Sequence, residues 1–190
     1  MMRFILIFLF AVLSINAQGL KLTAKIGYDF AGEYKVDTKY VIGFIDERVE
    51  NSYSGALEGT WTVGEVFDLG AGITYRPARN GKGIENLELT VIPLYSIIKI
   101  NLLTVPSVNP QFVGHIGYSA FSTSDSYKDN REAEGGTYFA LGLGLNPVSD
   151  FYTEILFCAS NFFYNIPGGS EETEHKLQYT NISLYAGWSF

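Results

Sequence analysis

From Leu177 to Phe190 the sequence LQYTNISLYAGWSF alternates residue by residue. Thr180, Ile182, Leu184, Ala186, Trp188 and Phe190 fall on one side of an extended chain; Tyr179, Asn181, Ser183, Tyr185, Gly187 and Ser189 fall on the other. A period of two cannot close a helical face, so the segment is committed to a strand with one apolar face and one small or polar face.

Seven more stretches alternate in the same way: 20–32, 52–63, 67–77, 86–103, 111–121, 137–146 and 151–163. The first sets Leu20, Leu22, Ala24, Ile26, Tyr28 and Phe30 against Lys21, Thr23, Lys25, Gly27, Asp29 and Ala31. In 86–103 the apolar row changes phase at Val91-Ile92-Pro93, which predicts a β-bulge there. In 111–121, Phe112, Ile116 and Tyr118 are expected outward and His115 inward. Connections after the second, fourth and sixth stretches are short, whereas Glu33 to Asn51, Ser122 to Gly136 and Tyr164 to Lys176 read as long polar loops. Eight strands with alternating turns and loops predict an all-β fold: an eight-stranded antiparallel up-and-down transmembrane β-barrel.

The faces follow from cost. A charge facing lipid near the midplane costs about 2–4 kcal/mol, and Lys21, Lys25, Glu58, Asp68, Lys99, Glu154, Asp29, Arg76 and Glu88 can all be placed opposite the apolar rows. They are expected to form two compensated interior clusters, the first six toward the turns and Asp29, Arg76 and Glu88 toward the loops, because unpaired buried charge is costly. Aromatics near the strand ends, among them Trp61, Trp188, Tyr28, Tyr53 and Tyr75, suit an interfacial girdle.

The start of the chain reads as an export signal over residues 1–17: Met1-Met2-Arg3, an apolar run from Phe4 to Leu13, then the small-residue region Ser14-Ile15-Asn16-Ala17. The barrel domain is then 18–190. Setting Arg3 aside leaves 12 basic against 20 acidic residues, a net charge of −8, which excludes nucleic acid as a partner. Hydrophobic residues make up 47% of the chain, yet no later run is long enough for a membrane helix. The single Cys158 excludes an intramolecular disulfide.

The segments KLTAKIGYDF, TVIPLYSIIKINL with PQFVGHIGYSAF, and GGTYFALGLGLNPVSDFYTEILF together resemble the small eight-stranded outer-membrane barrel family that includes OmpA-, OmpX- and OmpW-type proteins. The last strand is similar to the terminal recognition signal of that family, with Tyr185 where a Gly is usual. The resemblance implies an outer-membrane location with extracellular loops and both termini periplasmic. Its implied partners are outer-membrane lipid and the barrel-assembly machinery, the latter through the strand ending in Phe190. It implies no cofactor and no one activity, since such barrels serve as anchors, adhesins, binding proteins or portals. A non-enzymatic barrel with a side-chain-filled interior is the first expectation, an OmpW-like portal for small hydrophobic molecules the second, and a lipid A-modifying hydrolase the third.

Catalytic and metal patterns are weak. Ser96-Ile97-Ile98-Lys99 matches an S-x-x-K string, but residues three apart on a strand point to opposite faces. Position 117 beside His115 is Gly, so a same-face Ser is missing at the nearest spacing. Glu171, Glu172, Glu174 and His175 read as a solvated loop cluster rather than a cation site. One loop stands out: Tyr40, Val41, Ile42, Phe44 and Ile45 form an apolar run between charged flanks, a candidate patch for an external protein or small apolar ligand.

Overall fold

The computed structural model describes residues 19–37, 45–64, 66–80, 88–102, 108–123, 132–148, 150–166 and 173–190. These form strands β1 (Leu20–Asp37), β2 (Ile45–Val49), β3 (Ser52–Val63), β4 (Phe67–Asn80), β5 (Glu88–Asn101), β6 (Asn109–Thr123), β7 (Glu132–Glu134), β8 (Gly136–Val148), β9 (Phe151–Ile166) and β10 (Thr173–Ser189). Residues 1–17, read as an export signal, lie outside the described residues, as do Tyr40, Val41, Ile42 and Phe44.

Eight of the ten strands make the wall. β1, β3, β4, β5, β6, β8, β9 and β10 pair antiparallel in that order, and β10 returns to β1 through pairs such as Ala24↔Trp188 and Tyr28↔Leu184. Closure satisfies the backbone polar groups within the sheet, a condition for crossing hydrocarbon. The end carrying Gly64 and Phe190 is called the turn end below, and the other the loop end.

Alternation places the side chains as the sequence predicts. Ile26, Leu57 and Ile116 point outward with 65%, 62% and 69% of their surface exposed, while Lys25, Glu58 and His115 are buried inside. An apolar band of this extent belongs in lipid rather than water. Glycines at inward positions make room for neighbouring tyrosines: Gly27 is paired with Tyr185 and Gly72 with Tyr95, and at either glycine a Cβ would run into the paired ring.

Four features depart from the sequence reading, one being that 164–166 and 173–176, read as loop with Glu174 and His175, are paired strand of β9 and β10. From Thr90 onward β5 keeps one phase, because Val91 points inward into an apolar layer rather than out to lipid. The bulge belongs to β4: between Arg76↔Val91 and Arg79↔Leu89 the extra residue falls at Pro77-Ala78, where Pro77 has no N–H to give the ladder. Within the stretch 33–51, residues 33–37 and 45–49 are strand rather than loop. β1 runs on to Asp37, and β2 continues the line of β3, with Gly32↔Val49 following Asp29↔Ser52 in unbroken register. Across a second bulge at Ala31-Gly32, where Ala31 adopts φ 52°, β1 stays paired to β10 as far as Asp37↔Lys176. The wall therefore rises higher on the β9–β10–β1–β2 side, because the inward Tyr34, Leu177 and Tyr179 give the extension an apolar core of its own.

The rise leaves a seam. The β3–β4 ladder ends at Gly55↔Tyr75, whereas the ladders on either side run on to Val36↔Ile45 and Asn80↔Glu88.

Candidate functional site

The interior is stacked in layers, and its chemistry changes along the axis. Nearest the turn end Thr62 donates to Asp68 Oδ1 at 2.7 Å, and Gln111 donates to Asn101 Oδ1 at 2.6 Å and Asp68 Oδ2 at 3.4 Å. Lys21 and Asp68 line a cavity of about 30 Å³ there, with Thr60, Lys99, Gln111 and Tyr152.

Above it lies an ionic layer drawn from five strands. Lys25 of β1 places Nζ 2.6 Å from Glu58 Oε1 and 2.7 Å from Glu154 Oε1. Lys99 of β5 reaches Glu58 Oε2 at 3.1 Å, and His115 of β6 stands 3.8 Å from Glu58 Oε1. Tyr95 donates to Glu58 at 3.3 Å, and its ring stacks on His115 with centroids 4.3 Å apart. Both ammonium groups also lie over the Tyr152 ring, Lys25 at 4.8 Å and Lys99 at 4.2 Å. Glu58 gathers the charges because its strand faces Lys25 on one side and, across Gly72, Tyr95 and Lys99 on the other.

A second ion pair occupies the next level. Arg76 Nε is 3.3 Å from Asp29 Oδ2, Ser54 donates to Asp29 Oδ1 at 3.2 Å, and the guanidinium lies 5.6 Å from the Tyr138 ring. Toward the loop end the charges give way to packed apolar side chains. Tyr34, Val49, Val91, Phe162, Leu177 and Tyr179 are buried together, with Phe121 against Phe162 at 4.6 Å.

The nine predicted interior charges thus occupy different settings. Lys25, Glu58, Lys99 and Glu154 share one network, Asp29 and Arg76 form a separate pair, and Lys21 and Asp68 sit at the turn-end rim. Glu88 opens β5, and its side chain lies outside the described residues. Of the apolar loop run only Ile45 is described, as the first residue of β2, paired with Val36. His115 is inward as the sequence reads, but its place in the ionic layer and that of the tyrosines 95, 138, 152 and 185 were not foreseen; an inward Tyr facing an inward Gly on the next strand, as at Tyr95 and Gly72, was the available signal.

The reactive pairings weighed from the sequence do not assemble among the described residues. Ser96 faces outward and Lys99 inward, so the wall separates the S-x-x-K pair. Neither His115 ring nitrogen has a hydrogen-bond partner, which leaves it without a nucleophile to activate. No cluster of His, Cys, Asp and Glu among the described residues could hold a metal ion. On the outer wall, Gly114 leaves a shallow groove of about 440 Å³ between Ile98, Phe112, Ile116 and Leu141, within the hydrocarbon-facing band.

A closed eight-stranded antiparallel wall, apolar outside and ion-paired inside, is the fold of the small outer-membrane β-barrels. OprG from Pseudomonas aeruginosa superposes with a TM-score of 0.63 at 12% identity, over 90% of this chain and 96% of that one. The outer membrane protein AlkL superposes with a TM-score of 0.61 at 12% identity, over 91% of this chain and 90% of that one. At such identity the likeness is one of fold. No family model matches the sequence, and no curated protein matches it.

Proposed function

We propose that the chain is a non-enzymatic, non-conducting outer-membrane barrel, with its loop end outside, its turn end and termini periplasmic, and the raised sheet of β9, β10, β1 and β2 serving adhesion, binding or envelope integrity. The observation that carries this is the double closure of the interior: a compensated ionic layer below and a packed apolar cluster above. Eight strands leave space only for side chains or one small ligand, and here side chains take it. On this reading β10 is the segment that the barrel-assembly machinery recognises. Planar-bilayer recording tests the first part, with no steady current expected; a large and stable conductance would refute it. Binding of the purified barrel to host-cell or matrix surfaces, lost on deletion of 39–44, tests the second.

One feature favours a portal for small apolar molecules instead. The seam above Gly55↔Tyr75 interrupts the wall beside the exposed rings of Tyr53 and Tyr75. Cells carrying the barrel would then take up a small alkane faster than cells without it, and Pro77→Val, which returns an N–H to β4, would slow that uptake.

A further inference from the structure

Among the described residues, buried polar atoms without a partner occur at several levels of the interior, and those of the turn end are Asn109 Oδ1 and Gln111 Oε1. Gln111 Oε1 makes no hydrogen bond within the protein. Gln111 and Tyr152, each 5% exposed, line the cavity of about 30 Å³ that also touches Lys99. A polar cavity of that size, with several polar neighbours, has room for roughly one water and reason to hold it.

Toward the loop end the described side chains of Tyr34, Val91, Phe162, Leu177 and Tyr179 pack together as an apolar layer, above the unpartnered Arg76 Nη1 and Asn181 Oδ1. Sideways entry at the depth of the ionic layer is also closed, since the β3–β4 ladder is continuous from Val63↔Phe67 to Gly55↔Tyr75 and Glu58 lies within it.

We propose that the cavity between Gln111 and Tyr152 is a water site that joins the Lys25–Glu58–Lys99–Glu154 layer to solvent at the turn end alone, so that the layer gains and loses protons from that end and not from the loop end. The groups facing the layer are Lys21, Lys25 and Asp29 from β1, Glu58 from β3, Asp68 and Arg76 from β4, Tyr95 and Lys99 from β5, His115 from β6, Tyr138 from β8, Tyr152, Glu154 and Cys158 from β9, and Tyr185 from β10. Lys25 and Lys99 balance Glu58 and Glu154, so a proton added to either carboxylate leaves a buried ammonium unmatched and loosens the barrel. With the turn end periplasmic, a point that rests on the function proposed above, the barrel responds to periplasmic acid and ignores external acid.

The test uses the full-length barrel in phosphatidylcholine vesicles, in one orientation verified by protease cleavage of the loop end. Carboxylate infrared bands, assigned with Glu154→Gln, are followed after an acid jump in an impermeant buffer on one side. The expected result is loss of the carboxylate band when the turn end is acidified, about tenfold faster than when the loop end is. Gln111→Leu, which removes a water partner outside the ionic layer, should slow the turn-end response about tenfold, the scale of one well-made water bridge. The heat-dependent gel shift confirms that each variant is folded. Equal rates from both ends, no response from either, or a Gln111→Leu barrel as fast as the parent would overturn the proposal. Labelling of loop residues on intact cells reports separately whether the turn end is periplasmic, so an error in orientation is distinguishable from an error in end-specificity.

Discussion

Lys25 Nζ lies 2.6 Å from Glu58 Oε1 with both side chains fully withdrawn from solvent, and the same ammonium holds Glu154 at 2.7 Å. Removing it strands two carboxylates at once. Lys25→Met should therefore cost about 3–5 kcal/mol of unfolding stability, the usual penalty for breaking a buried pair from one side. Urea titration of the folded barrel followed by Trp fluorescence measures it. Adding Glu58→Gln should recover part of the loss; a double variant that merely sums the two single effects would count against a coupled network.

Lys99→Met should cost less, about 1–3 kcal/mol, because Glu58 keeps Lys25 and the Tyr95 hydroxyl. Bilayer recording of this variant should still show no steady current, since Tyr95, Tyr138 and Tyr152 continue to fill the section. Loss of stability equal to that of Lys25→Met would place the centre of the network elsewhere.

Two glycines separate packing from position. A Cβ on Gly72 would sit 2.7 Å from the Tyr95 ring and 2.9 Å from Glu58 Cγ, while one on Gly55 would meet nothing closer than 3.9 Å. Gly72→Ala should cost about 1–3 kcal/mol by overpacking, and Gly55→Ala should stay within about 0.5 kcal/mol. Similar midpoints for the two variants would show that the inward ring layer yields more readily than its contacts suggest.

The outer band is tested by charge. Ile26 is 65% exposed on the wall, and Ile26→Arg should lower stability in lipid by about 2–4 kcal/mol. In a water-soluble barrel the same change would be neutral, so an unaffected variant that no longer needs detergent would remove the membrane assignment.

Deletion of 39–44 leaves β1, β2 and their pairing from Val36↔Ile45 to Gly32↔Val49 intact in sequence. The heat-dependent gel shift should persist, and any binding activity assigned to the apolar run should vanish. Failure to fold would make that run part of the wall.

Much of this molecule was legible without coordinates because alternation is local: a period of two fixes which face each residue occupies, and the cost of charge in lipid fixes which face is inside. Strand number, the outward rows and the inward placement of Lys25, Glu58, Lys99 and His115 all follow from that. Tertiary structure decided what faces what across the barrel. Glu58 meets Lys99 over the intervening strand β4 because strand register and curvature set that distance, whereas Asp29 and Arg76 were already grouped by their strand positions. It also decided the fate of Val91. Hydropathy reads Val91 as lipid-facing, but the loop end of the interior is apolar too, and only the Pro77-Ala78 bulge and the raised β1–β10 wall reveal that a buried layer waits for it.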